Sequence, residues 1–157
     1  MMYIFDTNSL STILKYYYVD RFPTFWEKFH VEIDNKSIIS VRETKRELED
    51  RFAATAIKLL TDHNEDFFEM PSVEELEFIT TIYSVPHFQQ NIERKKLLRG
   101  GYLADPFLIA KAHAAHGTVV SEEELKPHAA KVPNICEHFH IECIKLEEFL
   151  TRENWSF

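Results

Sequence analysis

The sequence predicts an α/β fold: three layers, α/β/α, around a central, mainly parallel sheet of four or five short strands. Two observations carry this. Short apolar runs alternate along the chain with longer segments whose apolar residues recur at helical spacing. The short runs read as strands buried on both faces, as in a parallel sheet covered by helices. A third feature agrees with them. Three glycines and six prolines in 157 residues leave few tight hairpins.

The elements follow in order. "MYIF" is a short strand. "NSLSTILKYYYV" is a helix, with Leu10, Ile13, Leu14 and Tyr17 on one face and Asn8 or Ser9 as its cap. "FPTFWEKFHVEI" is a second helix with Pro23 in its first turn, and Phe22, Phe25, Trp26 and Phe29 share a face. "KSIISV" is a second strand, and it runs into "RETKRELEDRFAATAIKLLTDH", expected as one strongly helical stretch.

The segment 49–100 is expected to be a helical insert within the domain, with no convincing strand. Inside it, "FFEM" meets a break at Pro71-Ser72. Ser72 and Glu75 then form a capping-box pattern at the head of "SVEELEFITTIYSV". His87 to Leu98 reads as a further helix ended by Gly100-Gly101. "LADPFLIAKAHAAHG" is an apolar helix stopping at Gly117, and "TVVS" is a third strand. "EEELK" and "PHAAK" read as polar loop or short helix, "IECIKL" as a fourth strand and "EEFLTREN" as a last helix. No repeat or low-complexity linker divides the chain, so residues 1–157 are expected to form one domain.

Composition narrows the class. Hydrophobic residues make up 45% and charged residues 28%, the balance of a globular protein that needs no disulfide or structural metal. No apolar stretch approaches the ~20 residues of a membrane span, and no secretory leader is visible. With two cysteines, Cys136 and Cys143, and no disulfide framework, a cytoplasmic location is expected. The formal charge of -8 disfavours broad, nonspecific phosphate binding. It does not exclude a nuclease that holds cations with carboxylates and keeps a local basic strip.

Acids recur at one kind of position. Asp6 ends the first strand. Glu43 and Glu47 lie on the helix after the second, four apart and so on one face. Asp105 opens the helix before the third strand, and Glu122, Glu123 and Glu124 follow that strand directly. In parallel α/β folds, ligands bind at the carboxyl ends of the strands. Two unit charges 4 Å apart repel by about 4 kcal/mol at an effective dielectric of 20, so gathered carboxylates call for cations. Magnesium and manganese prefer such hard oxygens, and paired ions activate water for phosphodiester hydrolysis.

"IFDTNSL", "IISVRETKREL", "LADPFLIAKAHAAHGTVVSEEE" and "VPNICEHFHIECIKLEEFL" together resemble the PIN-domain superfamily, and more narrowly a PIN-like bacterial and archaeal family related to VapC-type toxins. The resemblance covers most of the chain except the middle, Glu49 to Leu98. It implies a ribonuclease dependent on Mg2+ or Mn2+, an RNA substrate, an antitoxin partner and a homodimer. It also implies site residues. Asp6 matches the first acid. Glu47 matches the second, with Glu43 competing. Asp105 matches the third. Ser121-Glu122-Glu123 stands where Thr-x-Asp is usual, so Glu123 matches the fourth, one methylene longer than the family's aspartate.

Plainer readings stand beside these. Asp6 and Asp105 both suit helix starts. Thr7, Asn8, Ser9 and Ser121 suit either capping or support of the acids from behind. Arg94, Lys95, Lys96 and Arg99, just ahead of Asp105, suit a solvated helix face or a grip on a nucleic-acid backbone. Cys136, His138, His140 and Cys143 lack the spacing of a familiar zinc motif. His113 and His116 are expected at the exposed end of their helix. An aspartate-nucleophile phosphatase is disfavoured, since Asn8 stands where that chemistry usually needs a second aspartate. Two alternatives remain open: a non-catalytic RNA- or protein-binding module on the same fold, and a structure-specific DNA nuclease.

Overall fold

A computed structural model describes residues 1–92 and 103–157. Five strands form one sheet, all parallel: β1 (Tyr3–Phe5), β2 (Ile38–Val41), β3 (Phe68–Glu69), β4 (Thr118–Val120) and β5 (Cys143–Ile144), in the spatial order β3-β2-β1-β4-β5. The register pairs Ile4 with Ile39 on one side and with Val119 on the other. Between the strands run α1 (Thr7–Tyr16), α2 (Pro23–Asp34), α3 (Arg42–Glu49), α4 (Ala54–Thr61), α5 (Val73–Tyr83), a 3-10 turn at Pro86–Phe88, α6 (Asp105–Ala115) and α7 (Val132–His138), and α8 (Leu146–Arg152) follows the last strand.

The pleat sends successive side chains to opposite faces, and each face has its own core. Tyr3, Phe5, Ile38 and Val120 point to one face, where Leu10, Ile13, Phe25, Phe29, Leu48, Leu60 and Phe149 cover them. Ile4, Ile39, Val41 and Val119 point to the other, under Ile82, Leu108, Ile109, Ala112, Val132 and Ile135. Burial on both faces is why β1, β2 and β4 are almost wholly apolar in sequence. The three-layer α/β/α architecture is therefore as expected. No helix among the described residues is long and apolar enough to cross a membrane.

Four expectations need correction. The segment after Glu49 does contain a strand: Ser40 and Val41 pair with Phe68 and Glu69 at the sheet edge. The stretch 42–63 is two helices, α3 and α4, parted by a turn around Asp50–Ala53. The cap of α1 is Asp6, ahead of the expected Asn8 or Ser9. The strand expected over "IECIKL" is only two residues long, β5, and α8 starts at Leu146. The polar stretch 122–131 is loop and turn, as read, and α7 follows it. Of the helix expected over His87 to Leu98, a 3-10 turn and a helical stretch over 89–92 are described, and the remainder lies outside the described residues.

The α6–β4 junction is tight. His116 closes α6 in the left-handed conformation at φ 52°, and Gly117 follows. A Cβ on Gly117 would lie 2.5 Å from Ile4 Cδ1 and 2.9 Å from the Met2 carbonyl oxygen. The Ile4 methyl can turn away. The Met2 carbonyl cannot, because it accepts from Thr118 N at 2.9 Å and starts the β1–β4 ladder. Gly117→Ala is expected to destabilise the fold by about 1–3 kcal/mol, read as a lower urea midpoint with an unchanged slope.

Candidate functional site

The strand order reverses beside β1. From β1 the chain steps outward to β2 and β3, then returns to the other side of β1 as β4. In open parallel sheets the crevice outside the carboxyl ends at this reversal is the usual ligand site. The residue after β1 is Asp6, and the residue after β4 is Ser121. Both are buried, and Asp6 N donates to the Val120 carbonyl at 3.0 Å, holding the two strand ends together.

Asp6 is a helix cap and more. Its Oδ1 accepts from Ser9 N at 2.9 Å, which caps α1. Ser9 Oγ lies 3.0 Å from Oδ1, 3.1 Å from the Asp6 carbonyl oxygen and 2.9 Å from the Val120 carbonyl oxygen, and its single proton serves one of these at a time. Burial pushes the Asp6 carboxyl up from 3.8 to about 7. Hydrogen bonds from Ser121 and Ser9 oppose the rise, and the carboxylates of Asp105 and Glu123 add to it. Three acids from three separate elements thus share one electrostatic neighbourhood.

Asp105 is the first residue of α6 and is buried. It is not the N-cap residue of its helix, a position that Ala104 holds. Its Oδ2 accepts from Asn91 Nδ2 at 3.1 Å. Asn91 was not anticipated as a site residue. It is a buried polar residue far from any strand end, with no local sequence signal to single it out.

Both candidates on α3 are buried, and they are held differently. Thr7 Oγ1 donates to Glu47 Oε1 in a short hydrogen bond, tying Glu47 to the residue after Asp6. Arg42 Nε and Nη2 donate to Glu43 Oε2 at 2.9 and 2.7 Å. The other oxygen of Glu43 is buried with no hydrogen-bond partner among the described residues.

The three glutamates after β4 divide their roles. Glu122 Oε1 accepts from Leu146 N at 2.7 Å at the start of α8, and Glu122 N donates to Asn8 Oδ1 at 2.9 Å. Glu124 is exposed and pairs with Lys145. Glu123, half-buried, is the one whose charge bears on Asp6. Its Oε2 accepts from Val132 N at 2.9 Å, and its own N–H donates to Ser121 Oγ at 3.2 Å. Asn8 and Ser121 therefore support the loop that carries Glu123, while Thr7 supports Glu47.

Arg94, Lys95, Lys96 and Arg99 lie outside the described residues. His113 and His116 are exposed at the end of α6, and His113 stacks on Phe78 with centroids 3.8 Å apart. Cys136 is buried, and its hydrogen bond with Cys143 followed by burial drives its thiol well above the ordinary range. His138 packs its ring edge-on to Phe88.

Carboxylates are the donors a hard divalent cation selects, and a cation would offset the repulsion that adds to the burial-driven rise of Asp6. In chemistry the donor set fits magnesium or manganese. In arrangement, no three His, Cys, Asp or Glu side chains among the described residues are grouped to hold a metal ion as they stand.

Fold and site together define a doubly wound, all-parallel α/β protein with buried acids at its strand-order reversal. The chain belongs to the family described as a domain of unknown function (DUF4411), whose profile matches residues 3–157. No curated protein and no solved structure matches it.

Proposed function

We propose that this protein is a metal-dependent ribonuclease of the PIN type. The observation that carries the reading is the placement of Asp6 at the end of β1, beside the reversal of the strand order, with its carboxyl raised to about 7 by burial and further by the charges of Asp105 and Glu123. Buried like charges are costly to retain, and sites of this kind are enriched where chemistry is done.

Asp6, Asp105 and Glu123, with Glu47, would hold the cation. Divalent ions at such acids lower the pKa of water and stabilise the leaving oxygen of a phosphodiester. The chain's own residues prepare that site. Ser9 and Ser121 orient Asp6, Thr7 holds Glu47, and Asn8 fixes the loop after β4. Arg94, Lys95, Lys96 and Arg99 would grip the RNA backbone next to Asp105 in the chain. The resemblance to VapC-type proteins extends the proposal to a cytoplasmic toxin of a toxin–antitoxin pair, a homodimer neutralised by a partner protein.

A second reading has one observation in its favour. The absence of a ready three-ligand group among the described residues suits a binding module that holds RNA or protein uncut. One assay separates the two. Purified protein is incubated with structured RNA in magnesium or manganese, with chelator as control. The ribonuclease reading expects cleavage that stops on chelation. Stable RNA binding without cleavage in either metal supports the module, and cleavage confined to DNA supports a DNA nuclease.

A further inference from the structure

We infer that Asn91, backed by Tyr83, is a positioning residue that holds Asp105 in the site; the inference rests on reading Asp105 as a cation-holding acid. Asn91 is 3% exposed. Its Nδ2 donates to Asp105 Oδ2 at 3.1 Å and to the Ala130 carbonyl at 3.0 Å, which uses both amide protons. Tyr83 Oη donates to Asn91 Oδ1 at 3.2 Å. These partners fix the amide's sense. Turned over, it would set its oxygen against a carboxylate and a carbonyl and its nitrogen against the hydroxyl.

The position of Asp105 explains why such a partner matters. Asp105 stands at the first position of α6, followed by Pro106, where the helix meets the carboxyl ends of the sheet's central strands. Asn91 reaches it from the segment before α6, and Tyr83 is the last residue of α5. Asn91 also ties down Ala130, in the loop between Glu123 and α7. The middle of the chain, expected from sequence as a helical insert, thus joins the segments that carry two of its acids. Outer partners of metal-holding groups commonly govern cation affinity through such orientation.

The test is Mn2+ binding by the metal-free, full-length protein without RNA, read by water-proton relaxation, with a thermal melt beside each titration. Asn91→Ala is expected to weaken Mn2+ binding ~10- to 100-fold. Tyr83→Phe keeps the ring and removes only the hydroxyl; it is expected to weaken binding several-fold with little change in melting. If Asn91→Ala does not fold, Tyr83→Phe decides alone. Wild-type affinity in every variant that folds, with Asp6→Asn binding no Mn2+, would make Asn91 a structural strut and leave the proposed function standing. A wild type that binds no Mn2+ and cuts no RNA would remove the proposed function, and this role with it.

Discussion

On the proposed reading, Asp6→Asn is expected to lower metal-stimulated RNA cleavage on the order of 10³-fold and to stabilise the metal-free protein at neutral and alkaline pH. Both effects have one cause. The Asp6 carboxyl is buried at the end of β1 and its pKa is raised from 3.8 to about 7, first by burial, against hydrogen bonds from Ser121 and Ser9, and further by Asp105 and Glu123. Below about pH 4 the group is neutral in the folded and unfolded chain alike, and it costs nothing. Between 3.8 and about 7 the folded chain keeps the proton that the unfolded chain has lost, so stability falls as pH rises. Above about 7 the loss is complete, on the order of 4 kcal/mol at ~1.4 kcal/mol per pH unit. Asparagine carries no charge and still caps α1 through Ser9 N, because it is as good a cap as aspartate.

The variant's advantage over wild type is therefore near zero around pH 4 and largest above about pH 7. Urea unfolding in chelator across that range measures it. Equal stability of the two proteins at alkaline pH would show that Asp6 bears no burial cost. Retained cleavage by Asp6→Asn would show that the reaction does not need the carboxylate.

The parts of the fold that could be read in sequence are those whose causes are local. β1, β2 and β4 are apolar because each is covered on both faces, and α1 and α2 carry apolar residues at helical spacing. Asp6 stood out because it closes such a run. The parts that could not be read are fixed by distant partners. β3 spans two residues and exists because β2 accepts it, with Ser40 N donating to the Phe67 carbonyl at 2.9 Å. The cap positions of α7 and α8 are Lys131 and Lys145, neither of which caps with its side chain. Glu123 and Glu122 supply the missing acceptors, from nine and 24 residues away. The turn parting α3 from α4 holds no glycine or proline to announce it.

The same division runs through the site. The places of Asp6 at a strand end, Asp105 at a helix start and Glu123 just after a strand were legible. Asp105 is the first residue of its helix, and Ala104 holds the cap position. The long-range hydrogen bonds that hold these acids, from Asn91 to Asp105 and from Thr7 to Glu47, leave no mark at sequence spacing.

Glu47→Gln is expected to lower metal-dependent cleavage on the order of 100-fold or more, and Glu43→Gln less than about tenfold. Helical spacing alone leaves the two equivalent, since both lie on one face of α3, and only the family resemblance favours Glu47. Their partners separate them. Thr7, next to Asp6, donates to Glu47 and so couples it to the first acid. Glu43 gives one oxygen to Arg42, whose side chain is 35% exposed and can return to water when the pair is broken. A partly solvated pair contributes about 1 kcal/mol or less, so Glu43→Gln leaves the fold intact and the comparison readable. Thr7→Val removes the hydroxyl at nearly constant shape and is expected to reproduce part of the Glu47 loss, about tenfold. Rates for the three variants at saturating manganese, each with a melting curve, decide the matter. Should Glu43→Gln prove inactive while Glu47→Gln retains cleavage, the acid with the unpartnered buried oxygen is the one the reaction uses, and Thr7 merely stabilises the α1–α3 contact.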